Sequence, residues 1–158
     1  MEDLSMNISR LTPEAVFPAV ITADGEFMLP GECLTGDINM GEGADPFVLT
    51  NSLDKDILSL YTRAAFEEVC NQINGLDMVV PNKRVIERRI IGEAAEVFID
   101  ENRCIKINPE WLLKMGFDTE QVSGGLKDFP VMILKFKTKL AITSVPVYEK
   151  LMKDIQGG

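Results

Sequence analysis

An internal repeat restricts the fold of this chain more than any other feature of its sequence. The segment from Ile21 to Leu34 and the segment from Ile99 to Leu112 share one order of elements. Each reads as an apolar strand, a polar turn, a second apolar strand and the start of a helix. The segments Phe47 to Val69 and Val131 to Leu151 follow them and match as two strands and an amphipathic helix. Two matching halves predict one pseudo-symmetric body.

The length of the chain agrees with two halves that share a core. At 158 residues the chain can bury a substantial core, whereas half of it, at about 75 residues, would bury a smaller fraction of its surface alone. We therefore expect an N-terminal extension over residues 1–16, a first repeat over 17–80, a linker helix over 81–94 and a second repeat over 95–156.

Turn and cap residues divide both halves into short elements. Asp24-Gly25 predicts a hairpin between strands over residues 17–22 and 26–29, because glycine tolerates positive φ. Thr62 is a suitable N-cap for a helix whose apolar residues recur at helical spacing and which ends at Asn74-Gly75. Asn82 is a plausible cap of the linker helix, and Asn108 caps a later helix with Pro109 at its first position. In the second half we expect strands over 96–99 and 104–107 around a turn at 100–103, and later strands over 131–136 and 140–143.

The acidic residues are concentrated in the first half of the chain. The net charge is -9 overall; residues 1–81 carry a net charge of -11, and residues 82–158 carry a net charge of +2. Because phosphate binding needs a local concentration of Lys and Arg, the overall charge argues against general nucleic-acid binding, and any anion-binding face should lie in the second half.

The chain has few residues of the types that commonly act as catalytic groups or metal ligands. The chain has no histidine, and its cysteines Cys33, Cys70 and Cys104 are far apart and lack CxxC spacing. This pattern disfavours a zinc site and predicts reduced thiols. Without a nucleophile beside an identifiable base or a phosphate-binding glycine-rich loop, we expect no enzyme, no metal and no cofactor. Neither a membrane-spanning apolar run nor a signal peptide is evident, so the expected location is the cytoplasm.

Three further groups of polar residues each allow a functional and a structural interpretation. The basic residues of the linker could face nucleic acid or an acidic partner, although a solvated helix face is the favoured interpretation. Three lysines alternate along a strand and turn, which places their ammonium groups on one side, where they could contact phosphate or protect an exposed strand edge. An acidic loop has oxygen ligands but lacks the bidentate Glu of a calcium loop, which favours a plain acidic loop. The linker residues are Lys83, Arg84, Arg88 and Arg89, the alternating lysines are Lys135, Lys137 and Lys139, and the acidic loop contains Asp37, Asn39, Gly41, Glu42 and Asp45.

The segment RRIIGEAAEVFIDENRCIKINPEWLLKMGF, from Arg88 to Phe117, resembles the MraZ family of bacterial transcriptional regulators, which contain two tandem SpoVT/AbrB-like units. ITADGEFMLP, from Ile21 to Pro30, resembles the hairpin of the first unit. The resemblance covers most of residues 17–155. It implies a mainly β fold with helices (α+β), in which the halves form a pseudo-two-fold swapped-hairpin barrel. It also implies homo-oligomers, with rings possible, and DNA binding at promoter repeats, which would place the protein at the nucleoid.

The DxxxR motif of that family is degenerate in this chain. Its Asp and Arg positions fall at Thr22 and Glu26 in the first half and at Asp100 and Cys104 in the second. An Arg presents a planar fork of donors, whereas the Glu26 carboxylate is repelled by phosphate and the Cys104 thiol is a weak donor. The resemblance and the local charge give these candidate DNA contacts: Asp100, Arg103, Lys106, Arg84, Arg88 and Arg89.

Two functions therefore remain open from sequence. One is an oligomeric DNA-binding transcriptional regulator. The other is a protein-interaction or assembly module that has kept the fold, lost DNA binding and engages a protein partner through its acidic half.

Overall fold

The computed structural model describes residues 12–36, 38, 46–75, 83–125 and 127–156. The acidic loop residues Asp37, Asn39, Gly41, Glu42 and Asp45 and the expected helix cap Asn82 lie outside these ranges. The strands are β1 (Ala15–Thr22), β2 (Glu26–Met28), β3 (Phe47–Asn51), β4 (Ile57–Tyr61), β5 (Ala95–Val97), β6 (Cys104–Lys106), β7 (Asp128–Lys135) and β8 (Lys139–Ser144). The α-helices are α1 (Arg63–Asn74), α2 (Lys83–Ile86), α3 (Glu110–Lys114) and α4 (Val145–Gln156), with a 3₁₀ turn at Gly31–Leu34 and π-helical turns at Glu87–Gly92 and Gln121–Gly125.

The strands form two antiparallel sheets, and with the helices they make a mixed α+β fold, as predicted. Six strands are hydrogen-bonded in the order β1-β7-β8-β4-β3-β5, and β2 and β6 form a separate ribbon. Among the described strands, β1 and β5 are the edges of the large sheet, and the ribbon strands pair only with each other. The expected swapped-hairpin barrel is therefore not closed within the described residues, because no ladder among them joins the three-residue ribbon strands to either edge.

Pairing between the two halves of the sequence runs through both sheets. Strand β1 pairs with β7, strand β5 pairs with β3, and β2 pairs with β6, so that each pair joins a strand before residue 81 to one after it. At the centre of the large sheet β4 pairs with β8, with Ser59 opposite Ala141. Separating the halves would break all four ladders.

The predicted pairing of the strands around Asp24-Gly25 is wrong, although the turn itself is present. The Gly25 N–H donates to the Thr22 carbonyl over 2.9 Å, and β1 and β2 then diverge into different sheets. Around the second turn, direct pairing is limited to an isolated bridge between Ile99 and Ile105. Pairing with the other half and burial of apolar residues outweigh the local hairpin preference.

Two layers cover the faces of the large sheet. The ribbon residues Phe27 and Ile105 pack with Leu58 and Leu60 in the main core. Because side chains alternate along a strand, Tyr61 points to the opposite face. There it packs with helix α1 and the Glu87–Gly92 turn, while α4 packs beside them on strands β7 and β8.

Two of the three alternating lysines are buried, so the interpretation of three exposed ammonium groups on one side is wrong. Lys135 and Lys139 are 7% and 1% exposed, and Lys137 is exposed. Their strands lie inside the sheet with both faces covered, and the Lys135 Nζ donates to the Thr35 carbonyl over 3.3 Å.

The linker helix is less regular than predicted, and it ends at Gly92 rather than at Ala94. An α-helix extends over Lys83–Ile86 and continues as the π-helical turn Glu87–Gly92. Side chains of β3 bind carbonyls of this turn: the Thr50 Oγ1 donates to the Ile90 carbonyl, and the Asn51 Nδ2 donates to the Arg89 carbonyl over 2.9 Å. Such side-chain hydrogen bonds compete with the regular helical ladder.

Helix caps were better predicted than strand pairing. The Thr62 Oγ1 accepts from the Ala65 N–H over 3.2 Å, and Gly75 follows the last residue of α1, as expected. The Asn108 side chain accepts from the Glu110 N–H over 3.0 Å at the start of α3. Caps depend on neighbouring residues in the sequence, so local chemistry determines them.

Candidate nucleic-acid interface

The ribbon of β2 and β6 brings together the turns over residues 22–25 and 100–103, where the sequence resemblance places the two DxxxR motifs. Phe27 and Ile105 are opposite each other and are 5% and 1% exposed. The alternating residues Glu26, Met28 and Lys106 point to solvent, with Cys104 half-buried among them. The ribbon therefore has one apolar face on the core and one polar face toward solvent.

Thr22 and Asp100 each organise the turn in which they lie. The Thr22 Oγ1 accepts from the Glu26 N–H over 3.2 Å. The Asp100 carboxylate accepts from the N–H groups of Cys104 and Asn102 over 2.9 and 2.8 Å. Thr22 and Asp100 thus make the same bond to the residue four positions later. Capping of the turn is the role that the geometry gives to Asp100.

Gly25 and Arg103 hold matching positions in the two turns. Both have left-handed backbones, with φ of 88° and 64°. Each also binds the other half: the Ile107 N–H donates to the Gly25 carbonyl and the Leu29 N–H donates to the Arg103 carbonyl, both over 2.9 Å. The two turns are therefore tied to each other's strands. Aligning the repeats places Gly25 over Arg103, which is the sequence signal for this equivalence.

The two basic residues of the ribbon have different surroundings. The Arg103 Nε donates to the Leu29 carbonyl over 3.0 Å, so the guanidinium is partly engaged by the protein. Lys106 is exposed and lies directly opposite Glu26 in the ladder. Lys106 is the ribbon cation best placed to meet an external anion.

Exposed carboxylates outnumber cations around the ribbon. Asp24, Glu26, Asp100 and Glu101 are exposed there, beside Lys106 and the half-buried Arg103. An acidic surface repels the DNA backbone and favours a cationic partner.

The other predicted contacts, Arg84, Arg88 and Arg89, lie on the opposite side of the large sheet. Their turn is anchored by Ile90, which packs with Tyr61 on the helix-covered face. The Arg89 Nε donates to the Ser52 carbonyl over 2.9 Å, whereas Arg84 and Arg88 are exposed. The structure therefore divides the six candidate contacts into two separate groups.

A polar junction that sequence reasoning missed joins the linker turn to the ribbon side of the protein. The Glu93 carboxylate accepts from the Lys114 Nζ over 2.7 Å and from the Asn51 Nδ2 over 2.8 Å. These hydrogen bonds, first that from Lys114 and then that from Asn51, hold the pKa of Glu93 below its usual value. The partners are distant in sequence, so no local pattern pointed to them.

The described residues contain no cluster of three or more potential metal-ligating side chains. The three cysteines are free thiols. Burial raises the pKa of Cys33 to about 11, which keeps that thiol protonated at neutral pH. In the portion of the chain that is described, no helix has the length and apolar character needed to cross a membrane.

Comparison with known proteins gives relatives of one kind. No family model matches the chain. Over 90 residues the chain is 30% identical to a Cereibacter sphaeroides protein named transcriptional regulator MraZ, and the match covers 57% of the chain and 54% of that relative. The protein of another strain is 29% identical over the same coverage.

Both relatives are transcriptional regulators by name. The chain is similar to them, which supports the resemblance to the MraZ family found in the sequence, and their name agrees with the expectation of a non-enzymatic protein. The chain spans about half the length of the curated relatives it matches.

Proposed function

We propose that this protein is an MraZ-like transcriptional regulator that binds DNA as a homo-oligomer, with a ring as one form. We further propose that it consists of two tandem SpoVT/AbrB-like units, over residues 17–80 and 95–156. The observation that carries the proposal is the ribbon, in which the turns at Gly25 and Arg103 flank one paired segment and bind each other's strands. We take these turns to be the two DxxxR turns of the family, in degenerate form. Such a ribbon holds two equivalent loops at a defined separation, as a reader of paired DNA sites requires.

Lys106 is the proposed phosphate contact of each chain, supported by Arg103 beside it. Because exposed carboxylates surround these residues, one chain alone would bind DNA weakly. Several chains in one oligomer would each add a contact, and each contact releases counterions from the DNA. The proposal therefore links DNA binding to assembly.

The test measures fluorescence anisotropy of a labelled duplex taken from the DNA directly upstream of this protein's gene, at several salt concentrations. We expect affinity to fall steeply with salt. Lys106→Ala should weaken binding. It should also lower the slope of the logarithm of affinity against the logarithm of salt concentration by about one for each chain that touches the duplex. Lys150→Ala is the matched control, since Lys150 is also exposed but lies on α4, across the sheet from the ribbon.

Absence of binding at every salt concentration would refute the DNA-binding proposal. An equal loss in Lys106→Ala and Lys150→Ala would refute the assignment of the ribbon as the contact surface.

A second candidate function follows from the acidic solvent face of the ribbon. Asp24, Glu26, Asp100 and Glu101 would suit a protein partner with a basic segment better than DNA. Glu26→Gln separates the two candidates, because removing this charge reduces repulsion of phosphate. The DNA-binding proposal predicts several-fold tighter duplex binding by Glu26→Gln at low salt. The protein-partner candidate predicts no duplex binding by either the original protein or this variant.

A further inference from the structure

An open cleft lies between the end of α1 and the linker turn, on the side of the sheet opposite the ribbon. It is lined by Asn74 of α1 and by Arg84, Glu87, Arg88 and Ile91 of the linker. Its volume is about 590 Å³, within the range of roughly 300–1,000 Å³ that is typical of small-molecule sites. None of these residues contributes to the ribbon surface.

The two arginines of this cleft have donors available for a ligand. Arg84 and Arg88 are one helical turn apart and both are exposed. Neither guanidinium forms a hydrogen bond or an ion pair with any residue in the described part of the chain, although Glu87 lines the same cleft. The neighbouring Arg89, in contrast, donates to the Ser52 carbonyl. Arg89 therefore binds within the protein, whereas Arg84 and Arg88 face solvent in the same cleft.

We propose that this cleft binds a phosphate group, held by the forked donors of Arg84 and Arg88. A guanidinium matches the geometry of phosphate oxygens and can bind two of them at once. The Asn74 amide could donate a further bond, and Ile91 offers an apolar wall to the organic part of a phosphate ester. The proposal goes beyond the proposed function, because this cleft and the ribbon lie on different sides of the sheet.

Isothermal titration calorimetry of the full chain with inorganic pyrophosphate tests the proposal. We expect binding to the original protein and at least about tenfold weaker binding to R84Q/R88Q, a change of roughly 1.4 kcal/mol or more. The control is K150Q/K153Q, which removes the same charge from exposed positions on α4. Circular dichroism of both variants checks that each is folded.

Three results would overturn the proposal: no heat of binding for the original protein at millimolar pyrophosphate, unchanged affinity in R84Q/R88Q, or an equal loss in K150Q/K153Q. A competition experiment between pyrophosphate and the labelled duplex distinguishes the source of the phosphate group. If the labelled duplex displaces pyrophosphate, the cleft binds the DNA backbone; if both bind together, it accepts a free phosphate compound. Failure of the ribbon proposal would appear separately, in Lys106→Ala.

Discussion

Replacing Phe27 by alanine is expected to lower the free energy of unfolding by about 3–5 kcal/mol, the range observed for large-to-small aromatic substitutions in cores. Phe27 is 5% exposed and packs in the main core opposite Ile105. Its strand contributes only three residues, Glu26–Met28. Removal of the ring would leave a cavity under the ribbon. Because the strand is so short, it has few other contacts that could compensate for the lost packing.

Chemical denaturation followed by circular dichroism measures this effect as a shift in the denaturation midpoint. The control is Met28→Ala, one residue further along the same strand, where the side chain is 52% exposed. We expect a loss within about 0.5 kcal/mol for that exposed position. Similar losses for the two variants would show that Phe27 does not anchor the ribbon.

Gly25→Ala is expected to cost about 2–3 kcal/mol, from a strained backbone together with a steric overlap. The φ of Gly25 is 88°, a left-handed value that disfavours a side chain. A Cβ at this position would overlap the carbonyl oxygen of Ile107. That contact lies beside the bond from the Ile107 N–H to the Gly25 carbonyl, so the substitution would also disturb the link between the halves.

Gly36→Ala separates the two contributions to this loss. Gly36 also has a left-handed φ, of 67°, but a Cβ there would meet no heavy atom of the described residues within 4 Å. We expect it to cost about 1 kcal/mol, from backbone strain alone. Thermal unfolding of both variants measures the difference. Equal losses would mean that the overlap with Ile107 relaxes without cost and that the turn is not tightly held by the other half.

Arg103 shows why the ribbon differs from its sequence-based description. It occupies the backbone position of Gly25 with a φ of 64°, and its Nε donates to the Leu29 carbonyl. From the sequence, Arg103 and Lys106 were both candidate DNA contacts. The structure turns the Nε–H of Arg103 inward, because the Leu29 carbonyl of the other half lies within reach of the guanidinium. Lys106 has no such competing partner among the described hydrogen bonds and stays available.

Local patterns predicted the elements whose causes are local. The positions of Thr62, Asn108 and Gly25 indicated two helix starts and a tight turn, and the structure contains all three. Alignment of the two repeated segments matched the turn at Gly25 with the turn at Arg103. Relatives named MraZ support the resemblance drawn from the sequence.

Tertiary structure decided which strands pair and which charges reach solvent. The sequence presented β1 and β2 as partners, yet each pairs with a strand more than 70 residues away in the chain. It presented Lys135 and Lys139 as surface cations, yet both are buried within the sheet. Turns and caps depend on interactions within a few residues, so the sequence alone determines them. Strand partners and burial depend on which distant surfaces exclude water together, and only the folded chain brings those surfaces into contact.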